Sequence, residues 1–288
     1  SELANFIGVE TSLDLNFSGI TSDSRSVITG DLFVALPGAK AHGAGYIDDV
    51  VKAGAVGVIT DEAGAKLIGS KLPVIVISNP RRALGDICSW FYGSPSSAMQ
   101  IVGITGTNGK TTTTTILNQI LQAAGKSTGL VGTIGIEIGP EKILASFTTP
   151  EASELQSLFA TMKERHISQV LMEVSSHALE ARRVAGTKFA MVGFTNLTQD
   201  HLDFHKTMDD YFAAKAKLFT FEFADLAVIN IDDAHGIQLA AKTELPVMSV
   251  SRHDQSATWH YVSISPDYAG AHVAIRGSGG ILIEGKVQ

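Results

Sequence analysis

The run Gln100-Ile101-Val102-Gly103-Ile104-Thr105 passes directly into Gly106-Thr107-Asn108-Gly109-Lys110-Thr111-Thr112 and then into a long stretch reaching Ala124. A short apolar run rich in β-branched residues is the pattern of a strand buried on both faces. The stretch from Lys110 has the length of a helix. A strand, a glycine turn and a helix in that order commit the chain to an α/β architecture. They also build an anion site. Gly106 and Gly109 let the backbone curl so that several N–H groups converge on phosphate oxygens. The helix beginning near Lys110 points its partial positive end at the same anion. Lys110 can reach the terminal phosphates, and the Thr111 hydroxyl can ligate Mg²⁺. Ile104 stands where the general Walker pattern has a further glycine. A plain tight connection is the alternative, and the Lys-Thr pair after a strand weighs against it.

The rest of the chain repeats the alternation. Strands are expected at 31–36, ended by the turn pair Pro37-Gly38, at 55–60 and at 72–78, with a helix over 46–54. Gly93-Ser94-Pro95-Ser96-Ser97 is short, small and polar, and marks a boundary between domains at 1–97 and 98–288. A length of 288 residues suits two domains. Beyond the boundary, strands are expected at 170–174, 190–195 and 226–230. The helical stretches between them imply right-handed crossovers and a mostly parallel sheet with helices on both faces. After about residue 245 only strand-like runs remain, ending in 279–284. The fold class is therefore an N-terminal α/β domain followed by a central ATPase-like α/β domain.

Composition narrows the partners. A net charge of −7 with no block of like charges argues against a nucleic-acid binder or a polybasic membrane anchor. The single cysteine, Cys88, allows no intrachain disulfide and reads as a small core residue on a helix. No apolar run approaches the ~20 residues that span a bilayer, and the start, Ser-Glu-Leu-Ala, has no signal-peptide pattern. A cytoplasmic location is expected.

Ligands of open α/β sheets collect at the carboxyl ends of strands. Glu173 ends an otherwise apolar run there, and a carboxylate in such a strand is costly unless paired or metal-bound. The segment after 190–195 carries Asp200, His201, Asp203 and His205. A carboxylate and an imidazole near a phosphate loop suit a divalent cation. Helix capping by Asp200 or Asp203, and structural hydrogen bonding by His177 or His205, are the competing readings. Lys215, on an expected helix over 208–219, shares a face with Tyr211, Leu218 and Phe219, and by pattern alone it snorkels.

These residues resemble the Mur ligases, which with the folylpolyglutamate synthetases form amide bonds at the expense of ATP. The loop Gly-Thr-Asn-Gly-Lys-Thr-Thr is similar to their phosphate loop. Further segments are similar to the MurE branch: Thr21–Arg25 with Gly30–Ala35, Thr148-Thr149-Pro150-Glu151, Met172–Leu179 and Thr195–His205. The resemblance implies that ATP is held by Gly106, Thr107, Asn108, Gly109, Lys110, Thr111 and Thr112. It implies that Mg²⁺ is held by Thr111, Glu173, His201 and a carbamylated Lys215, with Lys110, Lys215 and His201 serving catalysis. Ser24, Thr148, Thr149, Ser175 and Arg183 would contact UDP-MurNAc-L-Ala-D-Glu, and an amino acid, L-lysine or meso-diaminopimelate, would be joined to it. His42 and Ala181 depart from residues common among relatives. The resemblance also implies a third, C-terminal domain beyond Gln288, so that this chain alone would ligate weakly or not at all. A monomer is expected. A folylpolyglutamate synthetase-like ligase and a non-catalytic module for a UDP-sugar or nucleotide are the other readings.

Overall fold

Alternation of strands and helices is carried through in the structure, a computed structural model that describes residues 2–287 other than 12 and 39. The chain forms two units. The first comprises Ser1–Ala98, Pro150–His166 and Glu180–Thr187; the second comprises Met99–Thr149, Ile167–Leu179 and Lys188–Gln288. The chain first passes between units at 98/99, one residue from the boundary read at 97/98. Two later excursions, 150–166 and 180–187, return to the first unit. A single cut omits them.

In the first unit, β1 (Gly19–Thr21), β2 (Asp31–Val34), β3 (Gly57–Thr60) and β4 (Val74–Val76) form a parallel sheet in chain order. Every residue of β2 and β3 is buried, which explains why these strands read as unbroken apolar runs. Alternate β2 side chains feed opposite faces. Leu32 and Val34 pack with Ile59, Ile75, Leu84, Ile87 and Cys88, whereas Phe33 and Ala35 pack with Val50, Val58 and Ile68. The helix Pro80–Phe91 starts with proline behind Asn79, whose side chain accepts from the Arg82 amide at 2.9 Å. Cys88 on this helix is fully buried, and burial pushes its thiol up to about 12. It is an inert core residue. The helix Ala152–Glu164 packs on Pro80–Phe91. A β-carbon on Gly85 would strike the Ala185 carbonyl, so this glycine lets segment 180–187 lie against the helix. Near the start of the unit's helical layer, His42 accepts from the Ala44 amide through Nδ1 at 3.0 Å, while Nε2 lies 3.1 Å from Asp61 Oδ1. Ala39, in the same loop, lies outside the described residues.

The second unit contains β5 (Gln100–Thr105), β6 (Thr128–Gly132), β7 (Gly135–Ile138), β8 (Glu141–Ile143), β9 (Gln169–Glu173), β10 (Met191–Phe194), β11 (Ala227–Asn230), β12 (Val247–Ser251), β13 (Trp259–Asp267), β14 (Gly270–Gly277) and β15 (Leu282–Val287). They make one sheet in the order β15-β14-β13-β12-β11-β10-β5-β9-β6-β7-β8. From β13 to β6 every neighbouring pair is parallel; antiparallel hairpins border that run at both ends. The β6–β8 hairpins were not legible, because glycines interrupt β6 and β8 is a three-residue exposed strand. After β5 the chain builds β6 and β9 on one side and then crosses to β10–β12 on the other. Such a reversal opens a crevice at the carboxyl ends of the central strands. Thr105 of β5 aligns with Phe194, and Ile104 with Glu173. Among the described residues no helix is long and apolar enough to cross a membrane.

Candidate phosphate-binding site

The turn after β5 is held by backbone that only glycine supplies easily. Gly106 has φ +146°, and a β-carbon there would strike Thr195 Oγ1. Gly109 sits at φ +85° as the residue before the helix Lys110–Ala123. Segment Thr195–Thr198, which follows β10, fastens the turn. Thr107 N donates to Asn196 O at 2.9 Å, Asn108 N to Asn196 Oδ1 at 3.0 Å, and Thr195 Oγ1 to Asn108 O at 2.7 Å. Thr198 N donates to Thr107 Oγ1 at 3.0 Å, and Asn230 Nδ2 donates to Thr195 O at 2.8 Å. The amides of Thr107 and Asn108 are therefore engaged within the fold. Thr113 N closes onto Gly109 O at 2.9 Å, so the amides of Lys110, Thr111 and Thr112 precede the helix's own bonding ladder. They are the donors best placed for an anion.

Two lysines meet at one carbonyl. Lys110 Nζ donates to Gly106 O at 2.9 Å and to Thr107 O at 2.8 Å, and Lys215 Nζ donates to the same Gly106 O at 2.9 Å. Burial lowers the pKa of both. Glu173 and Asp200 pull that of Lys110 back up. Lys215 is 1% exposed, lies 4.5 Å from the Tyr211 ring centre, and is brought down to about 7 by burial and by the charge of Lys110. The snorkelling geometry expected from spacing alone does not occur, because the turn carbonyl gives the ammonium a buried partner. Between about pH 7 and the unfolded value of 10.5, the unfolded chain holds a proton on Lys215 that the folded chain does not. Stability therefore rises with pH across that window and is lost progressively as pH falls towards 7. Substituting Lys215→Met should flatten the slope of unfolding free energy between pH 7.5 and 9 by up to about 1.4 kcal/mol per pH unit. Urea unfolding at several pH values checks this, and parallel slopes for the two proteins would refute it.

Glu173 closes the opposite side. This carboxylate, 1% exposed at the end of β9, accepts from Thr111 Oγ1 at 2.9 Å, Thr133 N at 2.8 Å and Thr133 Oγ1 at 3.2 Å. Its backbone oxygen accepts from Thr149 Oγ1 at 2.9 Å, which in turn accepts from Ser175 N at 3.1 Å. Thr148 Oγ1 lies 3.1 Å from Thr133 Oγ1. A carboxylate and a threonine hydroxyl beside a phosphate loop are an oxygen donor set that fits Mg²⁺, which takes few protein ligands and shares phosphate oxygens. Among the described residues no group of three or more His, Cys, Asp or Glu forms a closed metal cage.

His201 lies in a separate ring cluster. Its ring centre is 4.8 Å from that of His177 and 6.0 Å from that of Tyr211, and Nε2 is 3.5 Å from Asp200 Oδ2. Its backbone has φ +52°, a left-handed conformation that costs a non-glycine residue roughly 1–3 kcal/mol and collects at functional sites. Asp200 accepts from the His201 amide at 2.8 Å. His205 is buried against Ser176 Oγ at 2.9 Å, a structural bond.

Of the remaining expected residues, Thr148, Thr149 and Ser175 belong to the second unit, and Ser24 and Arg183 to the first. Arg183 Nε lies 2.7 Å from Glu151 Oε1, and Arg81 Nη1 lies 2.6 Å from Glu151 Oε2. Thr133 and Arg81 carried no signal in the sequence that would have marked them. They are single polar residues whose partners lie 40 and 70 positions away.

Comparison with known proteins gives a consistent picture. The family described as "Mur ligase middle domain" matches residues 104–286, and the one described as "Mur ligase family, catalytic domain" matches residues 16–92. A UDP-N-acetylmuramoyl-L-alanyl-D-glutamate–2,6-diaminopimelate ligase of Streptomyces avermitilis is 45% identical over 253 residues, covering 87% of this chain and 50% of that protein. A UDP-N-acetylmuramyl-tripeptide synthetase of Leifsonia xyli is 39% identical over 292 residues, covering 100% of this chain and 57% of that protein. A solved structure of a UDP-N-acetylmuramoyl-L-alanyl-D-glutamate–2,6-diaminopimelate ligase superposes with a TM-score of 0.83 at 27% identity, covering 99% of this chain and 59% of that one. The chain thus spans about half the length of the curated relatives it matches.

Proposed function

The chain belongs to the Mur ligase family, and from that premise we propose that it serves an ATP-dependent ligase that adds the third amino acid to UDP-MurNAc-L-Ala-D-Glu. The amino acid is L-lysine or diaminopimelate, the latter being named for the Streptomyces relative. The observation that carries the reading is the grouping of Lys110, Thr111, Lys215 and Glu173 around one turn at the sheet's switch point.

In this reading the amides of Lys110–Thr112 and the Lys110 ammonium bind the ATP phosphates. The Glu173 carboxylate and Thr111 hydroxyl, with His201, would hold Mg²⁺, which when bound would offset charge on the phosphates. The γ-carboxylate of D-Glu attacks the γ-phosphorus; a P–O bond to ADP breaks and an acyl phosphate forms. The amine of the incoming amino acid then attacks the acyl carbon, phosphate leaves, and the nitrogen gives up a proton. Lys110 stabilises the charge that develops on the transferring group, and its fixed position keeps the reorganisation cost small. Lys215, brought down to about 7, offers a neutral amine near physiological pH. Such an amine adds to CO₂ with loss of one proton, which turns the neutral side chain into an anionic, carboxylate-like oxygen ligand. Thr148, Thr149, Ser175, Ser24 and Arg183 are assigned to the UDP-sugar-peptide. A monomer in the cytoplasm is the accompanying reading.

Calorimetry on this chain with UDP-MurNAc-L-Ala-D-Glu and with dihydrofolate tests the substrate. Saturable binding of the first alone is expected; binding of the folate alone would transfer the reading to the folylpolyglutamate side. Incubation with ¹³C-bicarbonate should give a carbamate resonance that disappears in Lys215→Ala, and its absence from the unsubstituted protein would remove the carbamate from the mechanism.

A further inference from the structure

Within the first unit, the Glu151 carboxylate is shared between two arginines, and both Glu151 and Arg81 stand where local preference disfavours them. Glu151 is the residue before the helix Ala152–Glu164, yet its side chain makes no capping bond. It reaches Arg81 Nη1 at 2.6 Å and Arg183 Nε at 2.7 Å instead. Arg81 lies in the first turn of the helix Pro80–Phe91, a turn with no acidic residue. A cation there opposes the helix dipole. Residues that break a local rule in this way tend to serve a site. All three side chains are partly covered, with 31%, 26% and 17% exposure for Arg81, Glu151 and Arg183.

If Arg183 binds an anionic group of the UDP-sugar-peptide, as in the proposed function, Glu151 occupies the same guanidinium and competes with that anion. Arg81 offers Glu151 a second partner of equal charge. Resting on that role of Arg183, we propose that Arg81 is a positioning residue that retains the Glu151 carboxylate, so that Arg183 can exchange it for the anion of the substrate. Without Arg81, Glu151 would bind Arg183 more tightly and the substrate anion would have to displace it. Glu154 contributes to the same surroundings. Burial and the charge of Glu151 raise its pKa, and Arg183 lowers it. Arg183 therefore faces more than one carboxylate, which makes the sharing of Glu151 consequential.

The competition makes opposite predictions for the two partners of one ion pair. With UDP-MurNAc-L-Ala-D-Glu as the probe in calorimetry, Arg81→Ala should weaken binding about fivefold, the effect that a partly exposed ion pair supports. Glu151→Gln should tighten it about threefold. The double variant should bind no more weakly than Glu151→Gln alone, because no competitor remains for Arg81 to restrain. If the pair merely held the fold together, both single variants would weaken binding and the double variant would be the weakest. Either that pattern or unchanged affinity in Arg81→Ala overturns the proposal. Should Arg81→Ala fail to fold, the Glu151→Gln arm decides, since weakening there is equally contrary. Arg183→Ala separates the underlying assignment. If it leaves the affinity unchanged, the role of Arg183 is wrong; if it weakens binding while Arg81→Ala does not, only the positioning role fails.

Discussion

Replacing Gly106 with valine is expected to cost roughly 2–6 kcal/mol of stability, the sum of backbone strain and overpacking. Gly106 has φ +146°, and any β-carbon would strike Thr195 Oγ1, which is itself bonded to Asn108 O and Thr105 O. The side chain cannot swing away without releasing the turn from segment Thr195–Thr198. Two strands converge on this point, so a shift there is transmitted to the carboxyl ends of β5 and β10. Gly125 provides the contrast. It also has a positive φ, +73°, but nothing lies within 4 Å of a β-carbon placed there. Gly125→Ala should therefore cost only strain, about 1 kcal/mol. Urea midpoints for the two variants measure the difference, and equal midpoints would mean that the contact with Thr195 is not restrictive.

Replacing Lys110 with alanine should weaken binding of ADP about 10- to 100-fold, the range for loss of a charge-assisted hydrogen bond in a partly buried site. The Lys110 ammonium is held by the Gly106 and Thr107 carbonyls, so it stands at the turn before any anion arrives. Burial already lowers its pKa, and a phosphate would restore the charged form. Alanine removes the cation while leaving helix propensity intact, so the far-ultraviolet circular dichroism should be unchanged. Lys126→Ala, an exposed lysine beyond the far end of the same helix, is the control and should bind ADP normally. Titration with a fluorescent ADP analogue checks both variants; equal loss in the two would indicate a non-specific charge effect.

The site was legible to different depths, and the reasons are physical. The phosphate turn is contiguous, so strand, glycines, lysine and threonine could be read together. Glu173 announced itself because a carboxylate in an apolar strand demands a partner, and the structure supplies Thr111 and Thr133. Lys215 could not be read from helical spacing, since a lysine flanked by apolar residues looks alike whether it snorkels or is buried. Only the arrival of Gly106, 109 positions away, decides the matter. Asn196 and Thr195 were visible as part of a family-like segment, but their work of fastening the turn depends on β10 lying beside β5. The same limit hid the membership of residues 150–166 in the first unit, because helical periodicity identifies a face but not the surface it covers. The β6–β8 hairpins at one margin of the large sheet escaped for a simpler reason: short, exposed or glycine-rich strands carry little periodic signal.

Backbone amide shifts recorded while Mg²⁺-ADP is added test the phosphate site most directly. If the nucleotide sits on this turn, the amides of Gly109, Lys110, Thr111 and Thr112 should move most, joined by Thr133 beside Glu173. Those of Thr107 and Asn108, already bonded to Asn196, should move less. Shifts that leave Gly109–Thr112 in place and gather elsewhere in the second unit would contradict a nucleotide site at this turn.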